Sequence, residues 1–209
     1  MSRYILGFVV LMGLMLPFSG VQTPAALAAI ASNEDAMKEM VIGDDNAPVT
    51  VIEYASLGCP HCANFHANTF PDIKKKYIDT GKVKFIYRDF PLGNPALAAA
   101  MISRCAGPTK FFGMIDIFFR SQPQWGRAEN PLEALSKIAR FGGLSEADVG
   151  ACLQNQDLLN DIQSKARSAA QEHSINATPS FIIDGEVVSG NLPYEDFEKL
   201  LDEALKKSI

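Results

Sequence analysis

The chain has 209 residues, 47% of them hydrophobic and 21% charged, with a formal net charge of −5 and a pI of about 5.2. That length suits one domain, or one domain carrying an insertion, with enough apolar surface for a core. The acidic balance excludes a nucleic-acid-binding surface, which needs clustered Lys and Arg, and there is no repeat, low-complexity tract or long block of like charge.

Residues 1–28 have the layout of a secretory signal peptide. Arg3 supplies a thin positive start, Ile5 to Phe18 is an apolar run of 14 residues broken by Pro17, and Ala26-Leu27-Ala28 puts small residues where a signal peptidase reads. The run is shorter than the roughly 20 residues that span a bilayer. Gly7, Gly13 and Pro17 weaken it further as an anchor. Cleavage after Ala28, or alternatively after Ala31, is expected, and with it export.

A short helix through Ala36 to Met40 comes next and offers a surface for weak oligomerisation. Ala47-Pro48 leads into Val49-Thr50-Val51-Ile52-Glu53-Tyr54, a nearly continuous β-branched run that predicts a strand buried on both faces. After the loop Ser56-Leu57-Gly58, Pro60 predicts a helix opening at or near Cys59. Pro71 kinks or restarts it, Thr80-Gly81 ends it, and Val83 to Tyr87 forms a second strand. Strand, helix and strand in this order read as a βαβ unit.

From Pro95 to about His173 the pattern is helical. Leu97, Met101 and Cys105 recur every four residues, and Phe111 to Phe119 reads as the core of this segment. Asn130-Pro131 opens a helix that Gly142-Gly143 closes. Ser145 and Asp148 resemble a capping box ahead of the helix carrying Cys152, and Leu158, Leu159, Ile162 and Ala166 mark a longer helix. Ser180 to Ile183, the turn Asp184-Gly185, and Glu186 to Val188 read as a hairpin, followed by an amphipathic helix through Phe197, Leu200, Leu201 and Leu205. The sum is an α/β domain over residues 40–93 and 174–209, interrupted by a helical domain over 94–173.

The cysteines are Cys59, Cys62, Cys105 and Cys152. Export permits lasting disulfides, and four cysteines allow three pairings. The nearness of Cys59 and Cys62 favours their bridge, which leaves Cys105 with Cys152; two buried free thiols are the alternative for the latter. A zinc site needs four ligands, and His66 is the only further candidate near the motif, so no metal is expected. A purely structural bridge is possible, but the βαβ setting of Cys59-Pro60-His61-Cys62 favours redox use. A helix beginning at Cys59 aims free N–H groups and its positive end at that sulfur, favouring thiolate over thiol. His61, when protonated, adds positive charge. A shift from about 8.5 to about 4 would correspond to roughly 6 kcal/mol, making Cys59 a good leaving group and its disulfide oxidising. Cys62, one turn inside, is expected to be the buried resolving thiol.

Glu53, the Cys59-Pro60-His61-Cys62 motif and, about 115 residues on, Thr178-Pro179-Ser180-Phe181 together resemble the DsbA family of periplasmic thiol–disulfide oxidoreductases, over most of the chain after the signal. The resemblance implies a thioredoxin-like fold with an inserted all-helical domain. It implies a cis Pro179 facing the active-site pair and a Thr178 that touches Cys59, the two binding substrate together with Pro60. It also implies that Glu53 is a buried acid helping to move the Cys62 proton, and that Cys105 and Cys152 form a second, structural disulfide like that of some α-proteobacterial members. The redox-active Cys59–Cys62 bridge would then need no cofactor. The implied setting is the periplasm of a Gram-negative bacterium. There a monomer would oxidise unfolded cysteine-containing exported proteins and be reoxidised by a DsbB-type membrane quinone reductase. A disulfide isomerase or reductase is the nearest alternative, although the short stretch between the signal and Val49 leaves little room for an N-terminal dimerisation module. A thiol-dependent chaperone or metal-handling module is the alternative from another class. His66 is expected at the surface, at most shaping a peptide groove, His173 is expected to be without a role, and Trp125 to be a core plug or a rim contact.

Overall fold

The computed structural model describes residues 30–208, so the expected signal peptide lies outside the described residues. Its centre is the run Val49–Ala55 (β2), flanked on one side by Val83–Asp89 (β3) in parallel and on the other by Ser180–Ile183 (β4) antiparallel. Met40–Ile42 (β1) and Glu186–Ser189 (β5) complete a five-stranded sheet of order β1-β3-β2-β4-β5. Asp184 and Gly185, at φ 51° and 82°, make the β4–β5 turn with the positive dihedrals that suit the right-handed twist of a two-residue hairpin.

Alternate residues of β2 and β3 face opposite layers. Val49, Val51, Val83 and Phe85 pack with Phe65, Ile73, Phe181 and Phe197 under the helices Pro60–Asn68 (α2), Phe70–Ile73 (α3) and Tyr194–Lys207 (α10). Tyr54 and Ile182 face the other way, onto Ala169 and Ile175. Pro71 does restart the helix after α2, and one π-helical turn, Lys74–Ile78, finishes it.

Between β3 and β4 the chain forms Asn94–Cys105 (α4), Pro108–Arg120 (α5), Gln122–Trp125 (α6), Pro131–Ala139 (α7), Glu146–Leu153 (α8) and Gln156–Glu172 (α9). The predicted caps close these helices. Asn130 accepts from the Glu133 N–H, and Ser145 with Asp148 forms a reciprocal capping box, each satisfying donors a helix start leaves free. Trp125 is a core plug, its ring buried and its indole N–H donating to the Phe118 carbonyl at 2.9 Å.

The N-terminal segment departs from expectation. The helix there (α1) covers only Asn33–Met37, and Met40 opens a strand instead. Pairing with β3, Met40 opposite Tyr87, satisfies backbone groups that a further helical turn would have left on the open sheet edge. Arg104 locks the segment in place. Its guanidinium lies 2.5 Å from Asp89 at the end of β3 and donates to the carbonyls of Ala36 and Lys38 at 3.0 Å. Ala36 is buried against the insert, so α1 presents this apolar position to its own chain rather than to another copy.

Cys105, at the end of α4, and Cys152, on α8, form a disulfide with Cα atoms 6.2 Å apart across a sequence separation of 47. A loop of that length lowers denatured-state entropy by an amount equivalent to about 4 kcal/mol at most. Replacing both cysteines by alanine should lower the unfolding free energy by about 2–4 kcal/mol in urea titrations, with the far-ultraviolet circular dichroism of the folded protein unchanged.

Candidate active site

The candidate site forms where β2 runs out. Ala55 hands the chain to Ser56-Leu57-Gly58, and α2 begins at once. Ser56 Oγ accepts from the Gly58 and Leu92 N–H groups at 3.2 and 3.1 Å, fixing the loop. A Cβ on Gly58 would stand 3.1 Å from that of Ala96, so a larger residue there would need the loop and α4 to give by a few tenths of an ångström. Gln122, on α6, donates to the carbonyls of Leu57 and Cys59 at 2.6 and 3.0 Å. The insert thus ties down the loop that carries the reactive sulfur, a contact no local sequence pattern announced.

Cys59 is the N-cap of α2, in extended conformation, with Pro60 at the first helical position. The residue is 7% exposed, and its sulfur lies 3.2 Å from the Thr178 carbonyl oxygen. The Thr178–Pro179 peptide is cis, so the two motifs 119 residues apart meet here. Pro60 and His61 are exposed beside the sulfur.

The two sulfurs are unbonded, so the structure shows the dithiol form. Their environments differ sharply. A hydrogen bond from the Cys62 thiol holds Cys59 down to a pKa of about 5 against the opposing effect of burial. The Thr178 side chain and the backbone N–H groups of Cys62 and His61 add to the same direction. His61 therefore acts on the sulfur through its main chain, at the positive end of the helix. Burial pushes the Cys62 thiol far up, and the Cys59 sulfur and the charge of Glu53 add to this.

Glu53 is 0% exposed, between Val51 and Ala55 on the face of β2 turned toward α2, and opposite Tyr87 on β3. Its Oε2 lies 2.9 Å from His66 Nε2, and its Oε1 is buried without a partner. His66 is the correction here. The expected surface histidine is 5% exposed, stacked on Phe119 at 4.4 Å between ring centroids and flanked by Phe65, Phe70 and Tyr87. It sits one helical turn after Cys62, so the i, i+4 rule puts both on the buried side of α2. That spacing was the available signal. His173, by contrast, is a partly exposed cap at the end of α9.

A thioredoxin family model matches residues 35–203. A putative protein-disulfide oxidoreductase of Rickettsia conorii is 34% identical over 170 residues, covering 81% of this chain and 61% of that protein. The chain thus aligns with about three-fifths of that relative's length. Disulfide bond formation protein D of Bacillus subtilis is 25% identical over 85% of this chain and 82% of its own. The crystal structure of Wolbachia pipientis alpha-DsbA1 superposes with a TM-score of 0.77 at 33% identity, covering 82% of this chain and 92% of that one.

Titrating the reduced protein by thiolate absorbance should show one sulfur ionising near pH 5 and no second ionisation before the alkaline range. Linkage fixes the sign of the accompanying stability change. Cys59 is depressed in the folded state, so its contribution to the dithiol form is complete above the unfolded value of about 8.5 and is lost as pH falls through about 5. The excess stability of the reduced over the oxidised protein, from melting at a series of pH values, should shrink over that window as pH falls.

Proposed function

The chain belongs to the DsbA family of thioredoxin-fold proteins, and on that premise we propose that it is a thiol–disulfide oxidase of the cell envelope acting through Cys59 and Cys62. The observation that carries the proposal is the position of the Cys59 sulfur, at the mouth of α2 and against Thr178, with Cys62 buried behind it.

The mechanism follows from that asymmetry. In the oxidised enzyme a substrate thiolate attacks Cys59, the more accessible sulfur, and the Cys59–Cys62 bond breaks. The electron pair goes to Cys62, which takes up a proton because its burial disfavours the anion. A second substrate thiolate then attacks the substrate sulfur of the mixed disulfide, and Cys59 departs as a thiolate. A leaving group ionising near pH 5 departs readily at neutral pH. At pH 7 the depressed value favours the dithiol over the disulfide and so moves the couple in the oxidising direction. The backbone of the Thr178–Pro179 segment lies beside the sulfur, and in this reading it receives an extended peptide. The substrates in this reading are unfolded exported proteins with free cysteines. A DsbB-type membrane quinone reductase accepts the electrons from the reduced enzyme, which works as a monomer in the periplasm.

The proposal is tested by oxidation of a reduced, unfolded protein containing two cysteines, using the oxidised enzyme in stoichiometric amount. Cys59→Ser should abolish disulfide formation. Cys62→Ser, preloaded at Cys59 with glutathione, should still pass a single disulfide to the substrate but fail to be regenerated as an intramolecular bridge. Undiminished oxidation by Cys59→Ser would refute the assignment.

A further inference from the structure

We propose that His66 and Glu53 form a proton path joining Cys62 to the cavity beside α2. The inference rests on the oxidase reading and deepens it by saying how the buried sulfur gains and loses its proton.

The need for a path comes from the reaction. When the enzyme bridge is reduced, two electrons from the substrate dithiol enter the Cys59–Cys62 bond. One substrate proton's equivalent ends on Cys62 and the other goes to solvent, while Cys59 remains a thiolate. On reoxidation the Cys62 proton must leave before that sulfur can attack a mixed disulfide at Cys59. Cys62 is fully buried, and so is Glu53 beneath it, so the carboxylate cannot exchange a proton with bulk water directly.

The geometry supplies the next station. His66 Nε2 lies 2.9 Å from Glu53 Oε2, while the ring's other nitrogen makes no hydrogen bond among the described residues. His66 also lines a cavity of about 330 Å³ shared with Phe70, Pro71, Lys74, Phe112 and Asp116. An imidazole can take a proton on one nitrogen and release it from the other. A carboxyl that receives the Cys62 proton can therefore pass it to Nε2, with Nδ1 releasing it toward the cavity. The same route in reverse protonates Cys62 when the bridge opens.

The other titratable groups around this route leave it open. Tyr87, facing Glu53 from β3, is kept protonated well above the ordinary range by burial, with the negative charges of Asp89, Glu53 and Cys62 adding to the effect. On the cavity wall Asp116 pairs with Arg120 at 2.8 Å, and Lys74 pairs with Asp79 at 2.5 Å. Packing alone would be met by a phenylalanine stacked on Phe119, which has no nitrogen to direct at a buried carboxylate. His66 touches no reacting atom, and its effect passes through Glu53.

The test separates the two chemical steps with oxidised glutathione and the reduced protein. Attack by the Cys59 thiolate needs no proton from Cys62; closure of the bridge by Cys62, releasing glutathione, does. His66→Phe should leave the first step and the Cys59 thiolate titration unchanged, and slow closure on the order of tenfold or more. His66→Gln, which keeps a hydrogen bond to Glu53 but cannot relay a proton, should be equally slow. His66→Gly should regain rate when imidazole is added. Closure at the native rate and with the native pH profile in either His66→Phe or His66→Gln, with melting showing the variant folded, overturns the path. So does slow closure in His66→Gly that imidazole leaves unaltered. Absence of the first step in the unmodified protein would instead strike the oxidase reading itself.

Discussion

Much of the structure serves one difference in environment, that between two sulfurs three residues apart. Cys59 stands at the open end of α2, where backbone N–H groups have no carbonyl to bond, and Cys62 lies one turn deeper, over a carboxylate. The Cys62 thiol donates to Cys59 and so stabilises one anion at the expense of another. A helix start alone would lower both sulfurs to a degree. The separation between them comes first from the burial of Cys62, and Glu53 adds to it from the inward face of β2, where the parallel pairing with β3 holds it opposite Tyr87.

The helical insert takes part in this arrangement. Gln122 bonds the carbonyls of Leu57 and Cys59, and Phe119 stacks on His66, so α5 and α6 reach both the reactive loop and the ring behind the buried acid. The Cys105–Cys152 bridge sits in a different apolar cluster, with Ala36, Met101, Leu158 and Ile162. It fastens α4 to α8 away from the site, while other residues of α4 pack in the cluster that includes Cys59 and Cys62. The bridge and the site therefore share a helix but not a contact cluster.

What was legible in the sequence was what local chemistry decides. Pro60 and Pro131 at helix starts, Ser145 with Asp148, Asp184-Gly185 and the β-branched run of β2 each constrain the backbone within a few residues, and all fall where their patterns place them. The Cys59 and Thr178 segments were joined by resemblance alone, since nothing local links residues so far apart. β1 was missed because its three residues gain strand geometry only from a neighbour more than forty positions away. His66 was misplaced because it was read as a lone histidine and not by its four-residue spacing from Cys62, itself expected to be buried. Its burial depends on Phe119 from the insert and Glu53 from β2, neither visible from α2 itself.

Burying an acceptor or hydroxyl without a partner costs about 1–3 kcal/mol, so such atoms are ordinarily few. Two of them, Glu53 Oε1 and Tyr87 Oη, belong to residues paired across β2 and β3. A site built only for stability would have closed these valences or replaced them with apolar groups of the same shape. The spare Glu53 oxygen leaves the carboxyl able to bond a proton source on one side while His66 holds the other. A carboxylate satisfied on both oxygens would be a fixed counter-charge. With one oxygen free, the group can change partners as the Cys59–Cys62 bond opens and closes, which is what a buried thiol at the end of an electron transfer requires.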